Sequence, residues 1–321
     1  MDPKPAIVNF TWQAALMVFG TVLAVYALQR LSAVLSECVV NNWYSAGPWD
    51  PQKELVLVTG GCSGIGQKIA EDLSKNGIEV VILDIQKPRF ELSSKIYFYS
   101  ANVASAESIR TAAELIRKNH GHPTVLINNA GVFYNGTILD EPEYLIRRTF
   151  EVNTLAHFLT VKEFLPHMIQ QNSGHIITMA SVASFITVGE MVDYCCTKSS
   201  ALAFHEGLTQ EIRHWHKAPG VRTSIVHPIW VQTPLIENLT SAGKTFGQAA
   251  LTPKMISSAV VEHVLAKKSG QLILPTNAVV LSFARLIPWW LQEWLRDRFS
   301  LVLKRVRDDV WSQADAQRSQ K

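Results

Sequence analysis

Glu54-Leu55-Val56-Leu57-Val58-Thr59-Gly60-Gly61-Cys62-Ser63-Gly64-Ile65-Gly66 runs from a short apolar segment into a glycine-rich turn. The first five residues read as a buried strand, and beyond the turn Ile69, Ala70 and Leu73 fall on one face of a helix. Glycines at such a turn let the backbone approach a ligand closely. The helix N-terminus then offers unpaired N–H groups and the positive end of its dipole to a pyrophosphate. A second apolar strand, Val80 to Leu83, ends at Asp84. A carboxylate there accepts both hydroxyls of an adenosine ribose and repels a 2′-phosphate. Strand, turn, helix, strand and acid in this order predict an α/β dinucleotide-binding fold, whereas a merely tight turn leaves Asp84 unexplained.

The alternation continues downstream in the manner of right-handed βαβ units, which predicts a doubly wound, parallel, seven-stranded Rossmann sheet over residues 54–276. Lys95 to Val103 is the third strand, Ala104 to His120 a helix, and Thr124 to Gly131 a fourth strand. Glu143 to Gln171 reads as one long helix. Gly174 to Met179, Gly220 to Pro228 and Gln271 to Leu274 complete the sheet. Pro234 to Leu251 is the expected place for a mobile substrate loop, with Gly243 and Gly247 as hinges.

Tyr194-Cys195-Cys196-Thr197-Lys198 carries the chemistry. On a helix from Asp193 to about Trp215, Tyr194 and Lys198 share one face. An unperturbed tyrosine titrates near pH 10, so acid or base work near neutrality asks for a downward shift of roughly 3 units, which the nearby ammonium is expected to supply. Ser181 stands at the carboxyl end of the fifth strand, where open parallel sheets place ligands.

These residues resemble the short-chain dehydrogenase/reductase family from about Leu55 to Leu274. The turn matches its Thr-Gly-x-x-x-Gly-x-Gly pattern at Thr59, Gly60, Gly64 and Gly66, with Ser63 and Ile65 between. Asn128-Asn129-Ala130-Gly131 is similar to its Asn-Asn-Ala-Gly motif, and Asn102-Val103 to its adenine-side segment, where an Asp is more usual. Asn153, Ser181, Tyr194 and Lys198 match its catalytic tetrad in order and spacing. The resemblance implies that Ser181 binds the substrate oxygen, Tyr194 exchanges its proton, Lys198 also holds the nicotinamide ribose, and Asn153 supports a water relay to Lys198. Ile229, Val231 and Thr233 match the family's loop over the nicotinamide, but Ile229 replaces the usual glycine of a Pro-Gly motif, so that loop's backbone contacts are in question. Within the family the chain is similar to the membrane-anchored retinol dehydrogenase and 17β-hydroxysteroid dehydrogenase (16C) branch. That similarity rests on the N-terminal apolar segment, His227-Pro228-Ile229-Trp230 and a Trp-rich tail. It implies retinoid, steroid or fatty alcohol and aldehyde substrates, at the endoplasmic reticulum or a lipid droplet.

Composition agrees with one catalytic domain plus additions at both ends. The 321 residues exceed the roughly 250 of a single doubly wound domain, and 47% apolar content supplies a large core. A net charge of +3 is too mild to argue for nucleic acid. Cys38, Cys62, Cys195 and Cys196 lack metal-ligand spacing and read as thiols of a reducing compartment. His214 and His216 point to opposite sides of a helix end, so no metal is expected.

Residues 1–36 form the expected anchor, because the stretch from about Pro5 to Gln29 has no charged side chain and is long enough to span a bilayer. A cleaved signal peptide and a buried core helix are the alternatives. Lys4 and Arg30 are too evenly balanced to orient the span, and the sequons at Asn135 and Asn238 do not place the domain in a lumen. Residues 37–53 read as a juxtamembrane linker. In the tail, residues 277–321, Phe283, Ile287, Trp290, Leu291, Trp294 and Leu295 recur at helical spacing, with Pro288 kinking the run. Such an amphipathic face lies in a membrane interface, or packs on the catalytic domain or on a second subunit in a homodimer.

The expected function is a membrane-bound oxidoreductase that transfers a hydride between a nicotinamide cofactor and a lipophilic alcohol or carbonyl. Asp84 and the uncharged Ser63 favour NAD over NADP, with Lys87 the residue placed to overturn this. The alternatives are a pathway-specific ketoreductase of secondary metabolism and a noncatalytic dinucleotide-binding protein on a lipid surface.

Overall fold

The computed structural model describes residues 6–45, 47, 49–241 and 245–318. The chain divides into two compact units, residues 1–45 and 46–321. The first is a single helix, α1 (Ala6–Val40), which continues past the expected end of the anchor at residue 36. Its stretch Trp12–Val40 has a mean hydropathy of 1.6 and no buried side chains. By length and composition it suffices to cross a membrane.

The second unit runs β1 (Leu55–Thr59), α2 (Gly64–Lys75), β2 (Glu79–Asp84), β3 (Ile96–Ser100), α3 (Ala106–His120), β4 (Val125–Asn128), α4 (Glu143–Phe150) and α5 (Ala156–Gln171). It continues with β5 (Gly174–Met179), α6 (Val192–Gln210), β6 (Val221–Pro228), α7 (Glu237–Thr240), α8 (Pro253–Leu265), β7 (Gly270–Leu274) and α9 (Trp289–Arg318). All seven strands pair in parallel in the order β3-β2-β1-β4-β5-β6-β7, with the order reversing between β1 and β4.

Strand alternation builds the two faces. Val56 and Val58 of β1 join Val80 and Ile82 of β2 in a core with Ile69 and Leu73 of α2 and Ile256, Val260 and Val264 of α8. The intervening Leu55 and Leu57 point the other way, into a core with Ile109 and Ile116 of α3 and Phe164, Leu165 and Met168 of α5. Asp72 is the one carboxylate of α2 buried in the first layer. It accepts hydrogen bonds from Lys68 within its own helix at 2.9 Å and from Lys254 and Ser257 of α8 at 2.9 and 2.7 Å.

Two sequence expectations need correction. The long helix is interrupted by a π-helical turn, Glu151–Leu155, which carries Asn153. The tail is not one α-helix through Phe283 and Ile287. Residues Thr276–Leu286 form a 3₁₀ segment, and Pro288 precedes α9 instead of kinking it, since a residue without an N–H is best tolerated at a helix start. The expected substrate loop after β6 has three buried residues, Ile236, Leu239 and Phe246, with exposed residues between them. Of its two expected hinges, Gly247 has φ +56°, and Gly243 lies outside the described residues.

Candidate active site

The carboxyl ends of the strands at the β1/β4 reversal hold the glycine turn against the Asn-Asn-Ala-Gly segment. Thr59 Oγ1 accepts the backbone N–H groups of Asn129 and Ala130, each at 3.0 Å. The Asn129 side-chain amide donates to the carbonyls of Thr59 and Gly60, also at 3.0 Å. Gly60 and Gly64 have φ of +64° and +54°, a region where only glycine rests without strain. At Gly66 a Cβ would stand 2.3 Å from the Gly60 oxygen and 2.4 Å from Asn129 Nδ2. Ser63 precedes α2 with an extended backbone and makes no side-chain cap. Asp84 closes the arrangement at the end of β2, where its oxygens accept the N–H of Cys62 at 3.0 Å and of Gln86 at 2.9 Å. Burial and the Asp84 carboxylate push the Cys62 thiol up to about 12, so it stays protonated. Asn102 and Val103 line the same cavity, Asn102 bracing its loop by accepting the Ala104 N–H at 3.0 Å.

At the other end of the cavity β5 delivers Ser181, and the first turns of α6 deliver Tyr194 and Lys198. Ser181 Oγ accepts the Ala183 N–H at 3.1 Å, lies 3.3 Å from the Pro228 carbonyl, and shares a hydrogen bond with Tyr194. Lys198 Nζ donates to the Met179 carbonyl at 2.9 Å and stands 5.4 Å from the centre of the Tyr194 ring. The fully buried Asn153 holds both polar atoms of Val132, accepting its N–H at 2.8 Å and donating to its carbonyl at 2.9 Å. It also donates to Thr197 Oγ1 at 3.2 Å, which links the π-turn to α6 between Tyr194 and Lys198.

The electrostatics correct the expectation that Lys198 depresses the Tyr194 pKa. Burial raises the phenol instead, reinforced by Cys195 and only partly countered by Ser181. Burial also lowers Lys198, to about 8. Both groups are desolvated, and desolvation penalises whichever form is charged. The protein by itself therefore keeps Tyr194 protonated.

Ile229 does not disorder its loop. Its N–H donates to the Leu274 carbonyl at 2.9 Å, and its side chain packs beside Val182, Ile186 and Ala278. Val231 bridges to Leu251, and the Thr233 methyl lies 3.1 Å from where a Gly64 Cβ would be, so this loop closes over the glycine turn.

Sequence reasoning missed His227. Fully buried, it places Nδ1 3.0 Å from the Ser181 carbonyl and Nε2 3.1 Å from the Gln271 amide nitrogen, with the Phe185 ring tilted against it at 4.5 Å. An amide nitrogen only donates, so Nε2 accepts and Nδ1 carries the proton to Ser181. Burial lowers its pKa to about 4, which keeps this neutral form at pH 7. The available signal was a histidine within an otherwise apolar strand end.

One cavity of about 1230 Å³ joins these parts. It runs from Gly60, Gly64 and Asp84, past Ser181, Tyr194 and Lys198, to Phe299, Val302 and Leu303 of α9. A dinucleotide-shaped end, two hydroxyls beside an ammonium, and an apolar end are the parts needed to exchange a hydride and a proton with an alcohol carbon. The sequence profile of the family described as short chain dehydrogenase matches residues 54–244.

The chain is a short-chain dehydrogenase/reductase.

It is 40% identical over 211 residues to dehydrogenase RED2 of Cochliobolus heterostrophus, covering 65% of this chain and 80% of that one. It is 34% identical over 261 residues to estradiol 17-beta-dehydrogenase 11 of Pongo abelii, covering 78% and 82%. These relatives place it in the 17β-hydroxysteroid dehydrogenase branch of the family and make it an NAD(P)-dependent oxidoreductase. Among solved structures, the 3-ketoacyl-(acyl-carrier-protein) reductase of Brucella melitensis, complexed with NADH, shares the fold. The TM-score is 0.62 at 20% identity, over 70% of this chain and 98% of that one. The dehydrogenase's own residues fit a dinucleotide, because the room under the turn exists only while residues 60, 64 and 66 lack side chains.

Proposed function

We propose that this dehydrogenase interconverts a lipophilic alcohol and its carbonyl at a membrane surface, with NAD preferred over NADP. The observation that carries the reading is the continuous cavity, polar and glycine-lined at one end and walled by Ile186, Val188, Phe299, Val302 and Leu303 at the other. Such a wall favours a retinoid, steroid or fatty-chain substrate, since each buried CH₂ contributes about 0.8 kcal/mol. NAD(P), when bound, supplies or accepts the hydride. Thr59, Gly60, Ser63, Gly64, Ile65 and Gly66 hold its pyrophosphate, and Asp84 accepts the adenosine ribose hydroxyls. Asn102 and Val103 flank the adenine, while Asn129, Ala130, Gly131, Ile229, Val231 and Thr233 border the nicotinamide half.

Ser181 Oγ donates to the substrate oxygen. Tyr194, kept protonated by burial, gives its proton to a carbonyl oxygen during reduction; in oxidation it takes the alcohol proton as its own passes on toward Lys198 and solvent. Lys198 binds the nicotinamide ribose and, titrating near 8, passes that proton onward at neutral pH. Asn153 positions Val132 and α6 around it. His227 fixes the Ser181 backbone.

Two features support the membrane. The first unit is a helix of spanning length, and in the second Trp289, Trp290 and Trp294 are exposed, with the Arg298 guanidinium 4.8 Å from the Trp294 ring. The test is turnover of a panel of short, fatty, retinoid and steroid alcohols and their carbonyls with both cofactors, for the wild type and Tyr194→Phe. The variant should lose 10² or more in kcat, on the order of 3 kcal/mol, with NADH binding unchanged. Activity within fivefold of wild type would sink the mechanism. A preference for the short, water-soluble alcohols would sink the substrate class.

A further inference from the structure

We propose that α9, which lies beyond the family-matched segment, is the substrate gauge of this enzyme, its Phe299, Val302 and Leu303 setting how long and how bulky an apolar chain the cavity accepts. The proposal rests on the lipophilic reading above and names the residues that enforce it.

Four observations carry it. Phe299, Val302 and Leu303 line the cavity at the end remote from Asp84. Leu303 and, a turn later, Val306 are 2% and 1% exposed, packed with Val188, Met191 and Cys195 in the cluster that also contacts Tyr194 and Trp230. The face is thus continuous with the wall beside the reacting oxygen. The helix is also fixed to each of the three loops that frame this end. Ser300 Oγ accepts the Gly189 N–H at 2.9 Å, Arg307 pairs with Glu190 at 3.3 Å and with Asp140 at 3.8 Å, and Thr245 donates to Asp309. Finally, Glu190 is buried and has φ +63°, and its carbonyl accepts the Gly136 N–H at 3.0 Å. Arg307 therefore meets a loop junction just ahead of Tyr194. A wall held at so many points does not yield to an oversized chain. In such a cavity, side-chain volume decides length, because packed interiors resist even one extra methylene.

The experiment compares wild type with Val302→Ala, Val302→Phe and Arg307→Met. Each receives primary alcohols from propanol to hexadecanol, and binding of a pyrene-labelled dodecanol is measured by fluorescence without turnover. NADH binding reports that the fold is intact, since α9 is remote from Asp84. Val302→Phe should lower the kcat/KM ratio of the longest to the shortest alcohol at least tenfold. Val302→Ala should raise that ratio or move the optimum to a longer chain. Arg307→Met, a positioning change, should raise KM for long alcohols more than it lowers kcat, and should weaken the pyrene probe at least fivefold. Ratios and probe affinity within twofold of wild type in all three variants, with NADH binding retained, overturn the proposal while leaving the lipophilic reading in place. If wild type turns over no long alcohol but binds the probe, and the variants shift that binding, the fatty-alcohol substrate fails and the gauge stands. Failure of wild type to bind either one removes both.

Discussion

Replacing Lys198 with methionine should inactivate the enzyme and make it more stable. The ammonium is 4% exposed, and its pKa falls from 10.5 to about 8 because burial penalises the charge. At pH 7 a shift of that size is worth about 3 kcal/mol against folding, at about 1.4 kcal/mol per unit. Lys198→Met removes that penalty at similar volume but strands the Met179 carbonyl, which now accepts from Nζ. A buried acceptor left without a partner costs about 1–3 kcal/mol. The net is a gain of up to about 2 kcal/mol, or up to about 4 °C in Tm for a domain of this size. The sign with pH follows from proton counts. Between about pH 8 and 10.5 the unfolded lysine keeps a proton that the folded one has released, so wild-type stability rises through that window relative to the variant. The advantage of Lys198→Met should be full at pH 7, shrink above about pH 8, and be reversed by about pH 10.5, where only the cost of the stranded carbonyl remains. Paired urea melts at pH 7 and pH 10 measure it. A variant less stable than wild type at pH 7, or an advantage independent of pH, would refute the reasoning. Such a result would mean that the ammonium is stabilised by partners stronger than one carbonyl. The confirmed outcome would make Lys198 a residue kept for function against stability.

Asp84→Ser should weaken NAD and improve NADP, read as the ratio of kcat/KM values; an unmodified enzyme that already prefers NADP would show that Lys87 outweighs Asp84. Gly66→Ala brings a methyl to 2.3 Å from the Gly60 oxygen, and should destabilise by about 1–3 kcal/mol and weaken NADH at least tenfold. Unchanged NADH affinity would show that the turn relaxes freely. Deleting residues 1–36 should convert an enzyme that needs detergent into one that binds vesicles reversibly through Trp289, Trp290 and Trp294, and Trp→Ser at those three should release it. Recovery of the deletion entirely in solution, without vesicle binding at low salt, would assign those tryptophans to protein packing.

What was legible in the sequence is what local pattern decides. Apolar runs of β length placed the strands, and Gly174–Met179 was delimited to the residue. The glycine turn announced itself because only glycine fits φ near +60° beneath a ligand. Tyr194 and Lys198 share a face because a helix dictates it. The rest depends on pairs distant along the chain. Nothing near Asn153 signals a π-turn, whose purpose appears only when Val132 and Thr197 arrive beside it. For Tyr194 a sequence shows the neighbouring charge but not the burial that pushes the phenol the other way. In the tail, the periodicity of Phe283 to Leu295 suggested one helix. The residues facing the cavity are instead Asn277, Ala278, Val280 and Leu281 of the 3₁₀ segment and Phe299, Val302 and Leu303 of α9, a set that no single amphipathic pattern distinguishes.

Asp72 sets a schedule for synthesis. Its partners Lys254 and Ser257 lie 182 and 185 residues further along the chain. At about 5–20 residues per second, the ribosome makes α2 roughly 10–40 s before the helix that covers it. During that wait a carboxylate meant for burial has only Lys68 for company, and the apolar faces of β1 and β2 above α2 stand open. The core on this face of the sheet is therefore completed only when residue 265 emerges, and a fragment ending at residue 244, where the family match stops, contains the cofactor turn yet lacks the helix that closes that core.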